Sequence, residues 1–142
     1  MPRTRVETRA RARVLQALYA WDLRGQPNGG GLERVAAQTW DDLAVSADER
    51  RVASALVQQL VRHGRILDAE LAEVTTNWRL ERLGVIERSV LRLGAAELDA
   101  GETPPRVVIQ EAVKLAERYG TVQSARFVNG ILDALARRMG RI

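Results

Sequence analysis

The chain has 142 residues, 46% hydrophobic and 28% charged, with no cysteine and one histidine. That length suits a single core, and the missing cysteine excludes disulfides and cysteine-ligated metals. Five of the 22 basic residues (Arg3, Arg5, Arg9, Arg11 and Arg13) but only Glu7 of the 18 acidic ones fall in the first thirteen positions, so the other 17 of each sign cancel and the arm carries the whole net charge of +4.

Apolar residues recur at helical spacing almost throughout, and alternating strand patterns are nearly absent. Val6, Ala10, Val14, Leu18 and Trp21 predict a first helix ending near Arg24 and Gly25. Gly25 to Gly31 (GQPNGGG) reads as a flexible loop. A short helix with Leu32, Val35, Ala36, Trp40 and Leu43 on one face follows. Ser46-x-x-Glu49 has the form of a capping box, in which hydroxyl and carboxylate each satisfy a first-turn amide. It opens a long helix carrying Val52, Leu56, Leu60, Leu67 and Leu71, with a kink expected at Gly64.

Thr75 to Asn77 break the pattern, and a short Trp78-to-Leu83 turn leads through Gly84 into a helix bearing Ile86, Val90, Leu93 and Leu98. Gly101 and Pro104-Pro105 stop it. Val108, Ala112, Leu115, Ala116 and Tyr119 mark the next helix, closed by Gly120. Ser124 is placed to cap a last helix with Phe127, Val128, Ile131, Leu132, Leu135 and Met139. The expectation is an all-α fold, a single compact bundle of six to seven helices over residues 1–142 with a basic arm at 1–13.

Catalytic chemistry is missing from this pattern. His63 stands alone beside Gly64, where helix-end carbonyls explain it. No zinc-protease, P-loop or nucleophile-elbow motif occurs. Gly29 to Gly31 lack the strand and lysine of a phosphate cradle and read as linker. No catalytic residue, metal or cofactor is expected. No apolar run approaches the ~18 residues of a membrane span, and no apolar segment follows the arginines as a secretory signal requires. A cytoplasmic protein without a membrane partner is expected.

Binding is better supported. On a helix, Arg5, Arg9 and Arg13 fall at i, i+4 and i+8, Gln16 continues their stripe, and Arg11 lies on a neighbouring flank. Such a row suits phosphates and, by guanidinium stacking, unpaired bases. A solvated face carrying a weak Glu7–Arg11 pair is the alternative. Tyr19 lies near the stripe, while Tyr119 and Phe127 flank the Gly120 turn. These rings offer stacking surfaces if the termini meet; core packing is the other explanation, and the better one for Phe127 alone. Asn129 is expected to bond backbone at a helix junction, and Gly130 to admit a close neighbour.

Arg9-Ala10-Arg11 with Gln16-Ala17-Leu18-Tyr19 resembles the opening of the NusB family of bacterial antitermination factors. The resemblance continues through Trp78, the Arg82-to-Arg88 run, Val90 to Leu93, Glu97-Leu98, Pro105, Val108 to Ala116, Tyr119-Gly120 and Phe127 to Asp133. It implies two three-helix halves forming one RNA-binding domain. It also implies binding of single-stranded boxA RNA from ribosomal RNA operons, together with the small-subunit ribosomal protein NusE. The pair then joins RNA polymerase and other Nus factors, and some members form homodimers. On this resemblance Arg3, Arg5, Arg9, Arg11, Arg13, Gln16, Tyr19, Tyr119, Gln123 and Phe127 face RNA. Gln123 replaces a residue often acidic or small in the family, and it can donate as well as accept. Leu83, Glu87, Arg88 and Leu91 fall on the ribosomal-protein side. The alternative is a detached RNA-binding domain related to ribosomal RNA cytosine methyltransferases, which require a catalytic cysteine that this chain lacks.

Overall fold

The computed structural model describes residues 5–25, 31–75 and 82–142. Among them are six helices and no strand: α1 (Arg5–Leu23), α2 (Leu32–Asp42), α3 (Ala47–Val74), α4 (Val85–Ala100), α5 (Pro105–Tyr119) and α6 (Val122–Arg138). Most of the expected GQPNGGG loop and of the Trp78-to-Leu83 turn lies outside the described residues. The chain divides into two compact units, Met1–Arg62 and His63–Ile142, and α3 runs unbroken through Gly64 from the first into the second.

In the first unit, α1 packs on α2. The core takes Ala10, Val14, Leu18 and Trp21 from α1, Leu32, Val35, Ala36 and Trp40 from α2, and Ala53, Val57 and Leu60 from α3. The expected α3 stripe is therefore rotated by one residue at its start: Val52 and Leu56 are half-buried, and Ala53 and Val57 point in. Leu43, expected inside, is exposed. Trp40 satisfies its indole by donating to the Arg13 carbonyl at 3.0 Å. Only half of the capping box forms. Ser46 Oγ accepts from the Glu49 amide at 3.3 Å, but the Glu49 carboxylate accepts from Arg13 Nε at 3.0 Å. A guanidinium offers that carboxylate a charged partner, which a backbone amide does not.

In the second unit, α4, α5 and α6 pack pairwise against one another. Residues 88–98 of α4 are all buried, the mark of a helix enclosed on every side. Its charges are matched where they enter the core. Arg92 makes a two-pronged contact with Asp68 of α3, Nε to Oδ1 at 3.1 Å and Nη2 to Oδ2 at 3.2 Å. Arg88 Nη1 donates to the Leu83 carbonyl at 2.6 Å. Gly101 ends α4 in the left-handed conformation, φ 72°.

The cap of α6 is Thr121, not Ser124: its hydroxyl accepts from the Ser124 amide at 3.0 Å. Val128, Leu132 and Leu135 are fully buried, whereas Phe127 and Ile131 are half-buried beside them. The expectation for Asn129 and Gly130 fails. Both are exposed, and a Cβ built on Gly130 meets nothing within 4 Å. The close approach lies instead at Gly94, where a Cβ would stand 2.6 Å from Leu132 Cδ1.

Candidate nucleic-acid interface

The arginines of α1 separate into two groups. Arg5 and Arg9, one helical turn apart, are exposed, and neither has an ion pair or hydrogen bond among the described residues. Arg13 is held by Glu49 and also reaches Gln16 Oε1 at 3.3 Å. Arg11 is only 4% exposed. The reason is positional: Val14, Leu15 and Leu18 follow it at i+3, i+4 and i+7, all buried, so residue 11 shares the apolar face. Its expected place on an open binding surface is corrected accordingly. Tyr19 is exposed on the side that carries Arg5 and Gln16, and Gln16 is half-buried. Arg3 lies outside the described residues.

A second group surrounds the α5–α6 turn. Tyr119 and Gln123 are exposed, and Phe127 is partly covered. Arg118 lies over the Tyr119 ring with its guanidinium carbon 5.3 Å from the ring centroid, within range of a cation–π contact. Arg126 is exposed one turn beyond Val122. Neither arginine featured in the sequence-based set. The signal available was weak, basic residues adjoining the Tyr119 and Phe127 positions. Gly120 sets the shape of the turn: a Cβ there would stand 2.8 Å from the Ala116 carbonyl oxygen and 3.0 Å from Ser124 Oγ.

The expected partner surface on α4 is largely internal. Leu91 is fully buried and Arg88 is 8% exposed, so both belong to the packed interior. Glu87, expected to point outward, is half-buried. Its carboxylate curls back over Gly84 at the start of α4 and accepts a hydrogen bond from Ser124 Oγ at 2.7 Å. Leu83 is half-buried. Among the described residues no group of His, Cys, Asp and Glu could hold a metal ion, and no helix is long and apolar enough to cross a membrane.

An all-helical fold that exposes arginines and a tyrosine on its first helix has the surface chemistry that nucleic-acid-binding proteins use. A sequence model of the NusB family matches residues 8–137. The "Transcription antitermination protein NusB" of Anaeromyxobacter dehalogenans (strain 2CP-1 / ATCC BAA-258) is 39% identical over 130 residues, covering 91% of this chain and 89% of its own length. That of Sorangium cellulosum (strain So ce56) is 38% identical over 133 residues, covering 93% and 92%. T. maritima NusB superposes with a TM-score of 0.83 at 31% identity, over 96% of this chain and 93% of that one. A chain from the crystal structure of antitermination factors NusB and NusE in complex with double-stranded RNA superposes with a TM-score of 0.85 at 30% identity, over 96% and 99%. The chain belongs to the NusB family.

Proposed function

We propose that this protein is a non-enzymatic, RNA-binding transcription antitermination factor. It binds the boxA segment of ribosomal RNA transcripts together with NusE, and joins RNA polymerase and other Nus factors in the cytoplasm. The observation that carries the RNA part is the pair of exposed arginines, Arg5 and Arg9, without an ion pair or hydrogen bond among the described residues, on the helix that also exposes Tyr19. Guanidinium groups with no internal carboxylate are available to phosphates, and an accessible ring offers a base its stacking face. Tyr119, Arg118 and Gln123 offer the same chemistry at the α5–α6 turn. Glu87 in the first turn of α4, with Leu83 just before that helix, makes up the face that we assign to the basic ribosomal protein, where acidic character favours association. The family context, including a relative solved with NusE and RNA, supports this reading over a methyltransferase fragment.

The test is a titration of fluorescently labelled boxA RNA and a scrambled RNA of equal length, with and without purified NusE. Preference for boxA that strengthens when NusE is present supports the function. Equal affinity for both RNAs under both conditions refutes it.

A further inference from the structure

Glu87 and Ser124 are 37 residues apart in sequence, yet Ser124 Oγ stands 2.7 Å from Glu87 Oε1. Ser124 is only 5% exposed, and its hydroxyl also lies 3.0 Å from Thr121 Oγ1. Proton counting orders this chain. A serine has one hydroxyl proton, and a carboxylate can only accept, so Ser124 donates to Glu87 and Thr121 donates to Ser124. Thr121 Oγ1 meanwhile accepts the Ser124 amide as the α6 cap. Successive donors polarise one another, and the charged terminus strengthens the last bond. The run therefore ties the first turn of α4 to the first turn of α6. Gly120 lies close to Ser124, where a Cβ would stand 3.0 Å from Ser124 Oγ, and it follows the exposed Tyr119.

We propose that Glu87 is a positioning residue for RNA binding: through Ser124 and Thr121 it holds the Tyr119–Gln123 turn in the geometry that meets RNA, without touching RNA itself. This rests on the RNA-binding function proposed above. It also gives one carboxylate two tasks, because a basic partner seated on the first turn of α4 engages the group that orients the turn.

The test measures single-stranded boxA RNA affinity, without NusE, for the full chain and for Glu87→Ala, Ser124→Ala, the double variant and Glu87→Gln. Measurements are made at a temperature where circular dichroism shows every variant folded. Each single alanine variant is expected to bind about threefold or more weakly, part of the effect of one hydrogen bond to a charged group. The double variant is expected to bind no worse than the weaker single one, as members of one network do. Glu87→Gln keeps an acceptor and is expected to restore most of the affinity. Additive losses, unchanged or tighter binding by Glu87→Ala, or a Glu87→Gln as weak as Glu87→Ala would overturn the proposal. If the unsubstituted chain shows no preference for boxA over the scrambled RNA either alone or with NusE, the function itself falls, and the two failures are told apart.

Discussion

A methyl group added at Gly94 would meet the Leu132 side chain at 2.6, 3.0 and 3.4 Å, and Leu132 is fully buried. Overpacking of this kind typically destabilises by about 1–3 kcal/mol. At Gly130, also within a helix, the same methyl meets open space, and alanine is the better helix former by about 1 kcal/mol. Gly94→Ala is thus expected to lower the melting temperature. Gly130→Ala is expected to raise it by about 2–4 °C, as calorimetry would record. A fall in melting temperature for Gly130→Ala would contradict the open environment assigned to it. Sequence reasoning marked Gly130 as the close contact because it interrupts the last helix. Nothing in a one-dimensional pattern says which glycine faces another helix. Arg11 was misplaced differently: a charged residue reads as solvent-facing, although its spacing from Val14, Leu15 and Leu18 places it on the apolar face.

At the scale of elements, the helices were legible because their apolar residues recur every three or four positions, and Gly101 and Gly120 end α4 and α5 as expected. Caps and pairings were less so. Ser46 and Glu49 satisfy the capping-box spacing, yet Glu49 is taken by an arginine from another helix. Thr121 and Ser124 both satisfy the residue preference for an α6 cap; the helix starts at Val122, so Thr121 caps the Ser124 amide while the Ser124 hydroxyl donates to Glu87. Likewise, the buried surroundings of α4 explain why Arg92 needs Asp68. Asp68→Ala removes the carboxylate that this guanidinium, on a side chain 10% accessible, contacts through two nitrogens. Asp68 is itself partly solvated, so the expected loss is about 1–2 kcal/mol, between surface and buried pairs. Urea denaturation would read it as a lower midpoint at unchanged slope. An unchanged midpoint would show that the pair contributes nothing net.

For the whole molecule, the charge excess belongs to the arm and first helix, while the remainder is balanced. The fold decides which of those charges are usable. Arg13 is spent on Glu49 and Arg11 is enclosed, leaving Arg5 and Arg9 open among the described residues. The direct test is the salt dependence of boxA RNA binding, since each phosphate neutralised on a single strand releases condensed counterions. Replacing Arg5 and Arg9 together by alanine is expected to reduce the slope of log affinity against log salt by about 1.4, or 0.7 per contact, with Arg13→Ala changing it far less. A double variant whose slope matches the unsubstituted chain would contradict the assignment of RNA binding to α1.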